Sequence, residues 1–376
     1  MALPFQSAGL TSAPATRLTA ITTETLDRRV YDQMFNAATP ALKTFMSRIE
    51  LKDGYNVEYM IRTGDIDGAW RARDGQIAAY STQTGAPATR AVMNKFYANW
   101  TLNLADVDVR ENRGAVQLAN YLTTQLDILA DSMSAEMAKA IWTAHATNTM
   151  YSLVDAIGDG TDAASYAGIT LADMTDDDGR EVWSSFVMDC GPSTAGSNTG
   201  VSPSLANHQK MLRVMFDYNG KYPDAIYVTG PVWDKLAAEI AGTEYLAGER
   251  GQKNDIEWGV QVLRILGVPV FRDRYLPSAA FVTGGTSRAT CKGHASYFVD
   301  WSFMHPYATP GRKFQLQEWT SLMSSGYERK WNNIAFDGGL ITSRRRAHGK
   351  IVNIDPTIAA TSYAAGTVYW GGVVCV

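Results

Sequence analysis

The residue types that do chemistry are present, but they rarely stand at spacings that chemistry uses. Cys291 and His294 form a Cys-x-x-His pair, half of a zinc site, yet no second Cys/His pair follows at zinc spacing. Asp173, Asp176, Asp177 and Asp178 beside Gly179 gather enough carboxylate for calcium, but not in the order of an EF-hand loop. They read as a solvated acidic turn. Gly284-Gly285 is followed by no Gly-Lys-Ser/Thr, and neither a Gly-x-Ser-x-Gly elbow nor a dinucleotide fingerprint occurs. His208 lies on an apolar helical face and reads as a partly buried side chain. His145, His305 and His348 have no acidic or nucleophilic partner that the sequence places beside them. Ser343-Arg344-Arg345-Arg346 is the one basic cluster. It could touch DNA or a carboxylate on another chain, but it reads as a solvated surface run. These residues predict no catalytic residue, no cofactor and no bound metal. An enzyme reading needs a site too dispersed for sequence to show.

Composition points away from several function classes. In 376 residues, enough for two or three compact units, 45% are hydrophobic and 19% charged. The charged share of an ordinary soluble monomer is closer to about 25%. A charge-poor surface suits a protein that buries much of itself against copies. The formal net charge of −4 lacks the basic surplus of a dedicated nucleic-acid binder. Cys190, Cys291 and Cys375 make no disulfide framework and read as free thiols in a reducing compartment. No basic region followed by an apolar core opens the chain, and no apolar run approaches the ~20 residues that span a bilayer. The product is expected in the cytosol while it is made.

Residues 1 to about 24 are rich in Ala, Ser and Thr and read as an extended arm, with a helical stretch marked by Leu26, Val30 and Phe35 after it. Tyr55, Val57, Tyr59 and Ile61 alternate with polar neighbours, as in a strand. A second alternating run holds Val92, Phe96, Trp100 and Leu102. Between the two lies a polar, glycine-bearing connection with Gly64, Gly68, Gly75 and Gly85. Such a connection buries too little apolar surface to order itself, so it either stays mobile or lies on a neighbour. Leu118, Leu122, Leu126, Leu129, Met133, Met137 and Ile141 then recur at steps of three and four, one stripe of a helix about 36 Å long. Asp127, Asp131, Glu136 and Lys139 fall on its other faces. Gly158, Gly160 and the run 176–179 signal loops, and 191–204 (GPSTAGSNTGVSPS) a flexible boundary.

A compact mixed region follows. Leu205, His208, Leu212, Met215 and Phe216 mark a helix, and 224–229 (DAIYVT) a buried strand. Gly230-Pro231 opens a further helix with Trp233, Leu236 and Ile240. Strands are expected at 268–271, 280–283, 297–299, 314–319 and 331–336, with 350–354 (KIVNI) as a closing strand and an edge strand in the tail. The order of elements is that of an α+β fold and not a doubly wound sheet.

This order resembles the major capsid protein of tailed bacteriophages, the Hong Kong 97-type fold. Tyr222-Pro223-Asp224-Ala225-Ile226-Tyr227-Val228, then Gly230-Pro231 and Trp233, is similar to that family's strand-to-helix text. Leu266-Gly267-Val268-Pro269-Val270, then Leu276-Pro277 and Val282 to Gly284, is similar to a second one. The resemblance covers roughly 40–355. It implies an N-terminal arm (1–50) and an extended E-loop hairpin (51–104). A peripheral domain with a spine helix (105–204) follows, in which 160–204 is longer than the family's link. An axial domain (205–319), late strands returning to the peripheral domain (320–354) and a tail (355–376) complete it. The function implied is a coat protein that self-assembles into an icosahedral head shell around double-stranded DNA.

The same resemblance implies partners and place. These are copies of itself in hexamers and pentamers, separate scaffolding, portal or decoration proteins, packaged DNA without sequence-specific contact, and no membrane. The location is the virion, with the host cytoplasm during assembly. On the E-loop, Tyr59, Ile61, Arg71, Arg73, Lys95 and Phe96 are the expected assembly residues. Lys95 with Asn332 or Asn333 has the residue types of the isopeptide crosslink some relatives form, but matches no motif for it. The rival with the same fold is an encapsulin-type compartment that houses enzymes. Another virion or surface-layer protein is a further alternative.

Overall fold

The leucine and methionine stripe folds into a helix of 26 residues, Ala115–Ala140. Leu129, Met133 and Met137 are buried, while Asp127, Asp131, Glu136 and Lys139 are exposed, so the stripe and the charged faces separate as the 3.6-residue period requires. The computed structural model describes residues 39–53, 56–60, 88–92, 94–103, 115–145, 149–158, 165–171, 174, 181–189, 203–246, 256–257, 260–261, 263–278, 293–316, 320–321, 329–356, 367–370 and 373–375. The expected arm, the helical stretch near Leu26, and the strand at 280–283 lie outside them.

In chain order the helices are α1 (Pro40–Ser47), α2 (Ala115–Ala140), α3 (Leu153–Ala156), α4 (Leu205–Asn219) and α5 (Gly230–Leu246). The strands begin with β1 (Glu50–Leu51), β2 (Asn56–Met60), β3 (Ala88–Val92), β4 (Asn94–Asn103), β5 (Ser165–Tyr166), β6 (Ile169–Thr170), β7 (Phe186–Asp189) and β8 (Ala225–Val228). They continue with β9 (Ile256–Glu257), β10 (Val260–Gln261), β11 (Leu263–Ile265), β12 (Val268–Arg272), β13 (His294–Val299) and β14 (Met304–Ala308). The last are β15 (Gln315–Leu316), β16 (Thr320–Ser321), β17 (Arg329–Thr342), β18 (Gly349–Ile354), β19 (Thr367–Trp370) and β20 (Val373–Cys375). The chain divides into two compact units, one of Met1–Ala38, Lys95–Met137 and Gly311–Phe336, the other of Thr39–Asn94, Ala138–Pro310 and Asp337–Val376.

In the first unit, β4, β15 and β16 pair with β17. Gln315 stands opposite Ala335 and Thr320 opposite Trp331, both antiparallel. Phe314 stacks on Phe336 with ring centroids 4.8 Å apart. One expectation changes here. Of the run from Val92 to Leu102 only Val92 returns against the 55–61 strand: β2 takes β3, from Asn56 opposite Val92 to Met60 opposite Ala88, while residues 94–103 form β4, in the sheet of β17. A two-stranded ladder buries little. An alternating apolar run such as Phe96, Trp100 and Leu102 is better satisfied in a wider sheet, whereas Thr89 and Val92 suffice to extend a hairpin.

The second unit is built on an eight-stranded mixed sheet, ordered β11-β12-β8-β13-β18-β7-β19-β20. The first family-like text forms β8, inside the sheet, and the second begins at the β11–β12 turn by its edge. In β8 all four residues are buried, and they alternate between faces. Ile226 and Val228 join Met211, Leu212 and Met215 of α4 and Val232 and Leu236 of α5 in one apolar cluster. Tyr227 points the other way. Trp142 meets it edge-on at 5.6 Å, and Trp301 Nε1 donates to its hydroxyl at 2.9 Å. Both faces of the sheet are therefore covered by the chain itself. α4 begins at Ser204, whose hydroxyl accepts from Asn207 N at 3.1 Å, and ends at Gly220 with φ +70°. It approaches β18 so closely that a side chain at Gly349 would run into Met211 and Met215.

β18 is not a closing strand but lies inside the sheet, antiparallel to β13 and parallel to β7. The tail supplies the edge, with β19 on β7 and β20 outside it.

Candidate assembly interface

The sequence-predicted assembly residues fall into three groups. Tyr59 lies in β2, opposite Thr89 of β3, and its strand neighbour Val57 is buried. Lys95 and Phe96 begin β4, in the other unit. Ile61, Arg71 and Arg73 lie outside the described residues. Cys291 and the acidic run 176–178 lie outside them too. Among the described residues no group of three metal-binding side chains converges, and no helix is long and apolar enough to cross a membrane.

The histidines serve structure. His208 Nδ1 donates to Ser204 O at 2.8 Å, leaving Nε2 to accept the Ser296 hydroxyl at 3.0 Å. His348 is fully buried. Asp300 N donates to its Nδ1 at 3.2 Å, and its Nε2 lies 3.0 Å from Thr342 Oγ1, which itself donates to Phe303 O. With its own proton committed, the threonine must accept, so His348 is the neutral Nε2–H tautomer. Burial pushes His208 down to about 4 and His348 to about 3. Nearby, burial alone would raise the Asp300 carboxyl, but Ser302 N–H and the Lys221 ammonium hold it below its usual value. Lys221 Nζ reaches both its oxygens at 3.1 Å. His294 Nδ1 meets Thr229 Oγ1 at 2.8 Å, and His145 gives only its backbone N–H to the Asp155 carboxylate, at 2.9 Å.

The basic cluster overturns its surface reading. Arg345 is 2% exposed. Its Nε donates to Ala156 O at 3.0 Å and Nη1 to Trp183 O at 3.0 Å. Nη2 donates to Asp155 O at 3.3 Å and Gly158 O at 3.1 Å. The guanidinium carbon lies 5.1 Å from the Tyr166 ring centre and 6.0 Å from that of Trp183. A buried cation is tolerated because its planar donors are used on carbonyls and its faces on aromatic rings. Its partners come from the loops around α3 and just before β7, so this one side chain holds part of the segment where an insertion was expected. Arg344 and Arg346, on either side, turn to the end of α4. Arg344 stacks over Phe303 at 5.3 Å and Arg346 over Trp370 at 5.7 Å. Sequence could not reveal this, because the carbonyl partners lie up to 190 residues away. The one hint was two large aromatics, Tyr166 and Trp183, in a stretch of Gly and Asp.

No family model and no curated protein matches the sequence. Solved structures do match the fold. The chain is similar to a subunit of the cyanophage A-1(L) capsid at TM-score 0.60 and 15% identity, covering 89% of this chain and 99% of that one. It is similar to the SrpI encapsulin of Synechococcus elongatus PCC 7942 at TM-score 0.54 and 10% identity, covering 92% and 98%. It is also similar to the capsid of a native GTA particle at TM-score 0.52 and 11% identity, covering 89% and 99%. At these identities the likeness is one of fold. The chain has the α+β, Hong Kong 97-like fold of phage capsid proteins, and these neighbours are shell proteins and not enzymes.

Proposed function

We propose that this chain is the major capsid protein of a tailed bacteriophage, self-assembling into an icosahedral head around double-stranded DNA. The observation that carries the reading is the end-to-end fold likeness to the cyanophage capsid subunit, 99% of whose length is covered. In this reading the E-loop that starts with β2 and ends with β3 lies over an adjacent copy, with Tyr59, Ile61, Arg71 and Arg73 as its contact residues and Lys95 and Phe96, at the start of β4, as further ones. Heterologous contacts of this kind close into hexamers, pentamers and a shell. Each contact is modest, but a subunit held by several at once is bound far more tightly than by one. Scaffolding, portal or decoration functions belong to separate proteins, the packaged DNA is enclosed without sequence-specific contact, and assembly takes place in the host cytoplasm. No resident cofactor is assigned.

The encapsulin-type compartment is kept as the second reading, because the SrpI encapsulin shares the fold at TM-score 0.54. Electron microscopy of the purified protein tests both against a solitary subunit. Closed icosahedral shells are expected, and their contents, nucleic acid or cargo enzyme, separate phage from compartment. Deleting 64–86 is expected to leave a folded, soluble subunit that no longer forms shells. Shells of normal size and yield from that deletion would remove the E-loop from the mechanism.

A further inference from the structure

α1 is a short helix between two longer stretches of chain. Residues 1–38 lead into it, and the chain leaves it for β1 and β2. Its eight residues are too few to hold a helix in water alone, so α1 depends on what it packs against. The Thr39 hydroxyl caps it by accepting from Leu42 N at 3.4 Å. It buries only Ala41, Leu42 and Phe45. Just past its last residue, Arg48 makes a long ion pair, 3.8 Å, with Asp224 ahead of β8. At its start, Thr39 and the Ala41 N–H act on Asp273, the residue after β12. This carboxylate is 2% exposed and in no ion pair among the described residues. Its Oδ1 accepts from Tyr275 N at 3.0 Å, but its Oδ2 has no partner. Trp142 Nε1, a further donor acting on the same carboxyl, is buried without an acceptor.

A buried charge with one oxygen unmatched opposes the closure of whatever covers it. Here the cover is a helix with little apolar burial of its own, which places it among the least stable parts of the fold. We propose that Asp273 is a proton-dependent latch for α1, which is loosely held while the carboxyl is charged and firmly held once it is neutral. Burial raises the carboxyl above its ordinary value, outweighing the pull of the Tyr275 N–H, the Trp142 indole, Thr39 and the Ala41 N–H. The proton is therefore bound more tightly when α1 covers the site than when α1 lifts and water enters. Acid favours the covered state, from the raised value down to the ordinary one of 3.8. The other titratable and charged groups on these elements do not reverse this. Burial keeps the Tyr227 hydroxyl of β8 neutral. Lys43, Arg48, Arg272 and Arg274 are exposed, with the Arg272 guanidinium over Gly230 and that of Arg274 over Tyr275. The latch is a property of one chain and stands whether or not shells form. The shell reading gives it a use, since the proposed arm and E-loop leave α1 from opposite ends and are freed together when it lifts.

Hydrogen exchange of the full-length free subunit tests it, read by mass spectrometry on peptides covering α1 and, for reference, β8. As pH falls from about 7.5 to about 4.5, protection of α1 is expected to rise while that of β8 does not, because His208 and His348 act on the body of the fold in the opposite direction. Where the carboxyl titrates, the rise approaches about tenfold per pH unit. In Asp273→Asn, which takes up no proton, protection of α1 should stay level across the range. Trp142→Phe removes a donor that favours the charged form, and should move the rise to higher pH. Protection of α1 that is level in the wild type, or that follows β8, overturns the inference. So does a rise that persists in Asp273→Asn or, where that variant does not fold, one that keeps its place in Trp142→Phe. If α1 responds as expected in a protein that forms no shells, the shell reading falls and the latch stands. If shells form from a chain whose α1 ignores pH, the shell reading stands and the latch falls.

Discussion

The eight-stranded sheet and the β2–β3 pair are both β-structure in one chain, but they rest on different support. The sheet has α4 and α5 on one face and the Trp142, Tyr227 and Trp301 group on the other, so nearly every residue of β8, β13 and β18 is buried. The β2–β3 pair is a ladder of five residues a side, a length that is marginal on its own in water. The sheet carries its own stabilisation. Val57 is the one residue of the strand pair whose burial is described, and it is buried within the subunit; on the proposed reading the pair gains its further order from an adjacent copy. On the proposed shell reading this division has a use, because a body that folds alone can be delivered as a monomer, while its extension is completed by assembly. Subunit variants in the sheet should therefore change unfolding of the free protein, and changes at the strand pair should leave unfolding alone and change assembly.

Arg345→Ala is the severest way to break the self-sufficient half. It removes the guanidinium's hydrogen bonds to four carbonyls in a closed site, of which only Gly158 O and Ala156 O keep a donor in Ser185, and a loss of about 3–5 kcal/mol is expected. Arg345→Lys should not rescue it, since an ammonium lacks the planar donors that reach Ala156, Trp183, Asp155 and Gly158. Urea unfolding of the two variants checks this, and a midpoint within error of wild type would show that the buried cation is dispensable.

Acid should act on the same half. His208 and His348 stay neutral in the folded chain down to about 4 and about 3, whereas an unfolded histidine takes up its proton near 6.5. Below pH 6.5 the unfolded state binds more protons, so stability falls as pH falls, and the loss continues until the folded values are reached. From pH 6.5 to 5, before most carboxylates titrate, the expected loss is about 3 kcal/mol. Urea midpoints of the free subunit across that range measure it. The variant His348→Gln keeps a donor and an acceptor without a titrating proton, and should remove about half of the slope. Gly349→Val comes next, at about 1–3 kcal/mol, because the Met211 and Met215 side chains must repack to admit it beside the Phe186 carbonyl. It should lower the thermal midpoint without altering the behaviour of the 64–86 deletion.

Legibility in the sequence follows the same division. α2 is readable because seven apolar residues keep a single helical face, and β8 because 224–229 is a short apolar run ahead of Gly230-Pro231. Two-residue periodicity identified β4 as a strand but not its partner, since alternation fixes which face is buried and not which chain segment lies alongside. β18 was legible as a strand and not as a central one for the same reason. Arg345 was misread because a run of charge is normally a solvated face. Only the fold brings it under the loops around α3.

The smallest effect expected is also the one that separates folding from assembly most cleanly. β11 and β12 join through Leu266 and Gly267, at φ +49° and +85°, with Ile265 paired to Val268. Both connecting residues are left-handed, as the right-handed twist of a tight hairpin demands, and Asn-Gly is the pair such a turn favours. Gly267 meets no steric cost, but Leu266 holds a branched side chain in the left-handed region while 39% exposed. For the free subunit a leucine is the worse choice on both counts. Leu266→Asn should therefore stabilise the subunit by about 1 kcal/mol, read as a rise in the urea midpoint. If the leucine is kept for contact with a neighbouring copy, the same variant will raise the concentration needed for shells while making each subunit more stable. A variant that improved both would place this tip, like the rest of the sheet, on the self-sufficient side of the comparison.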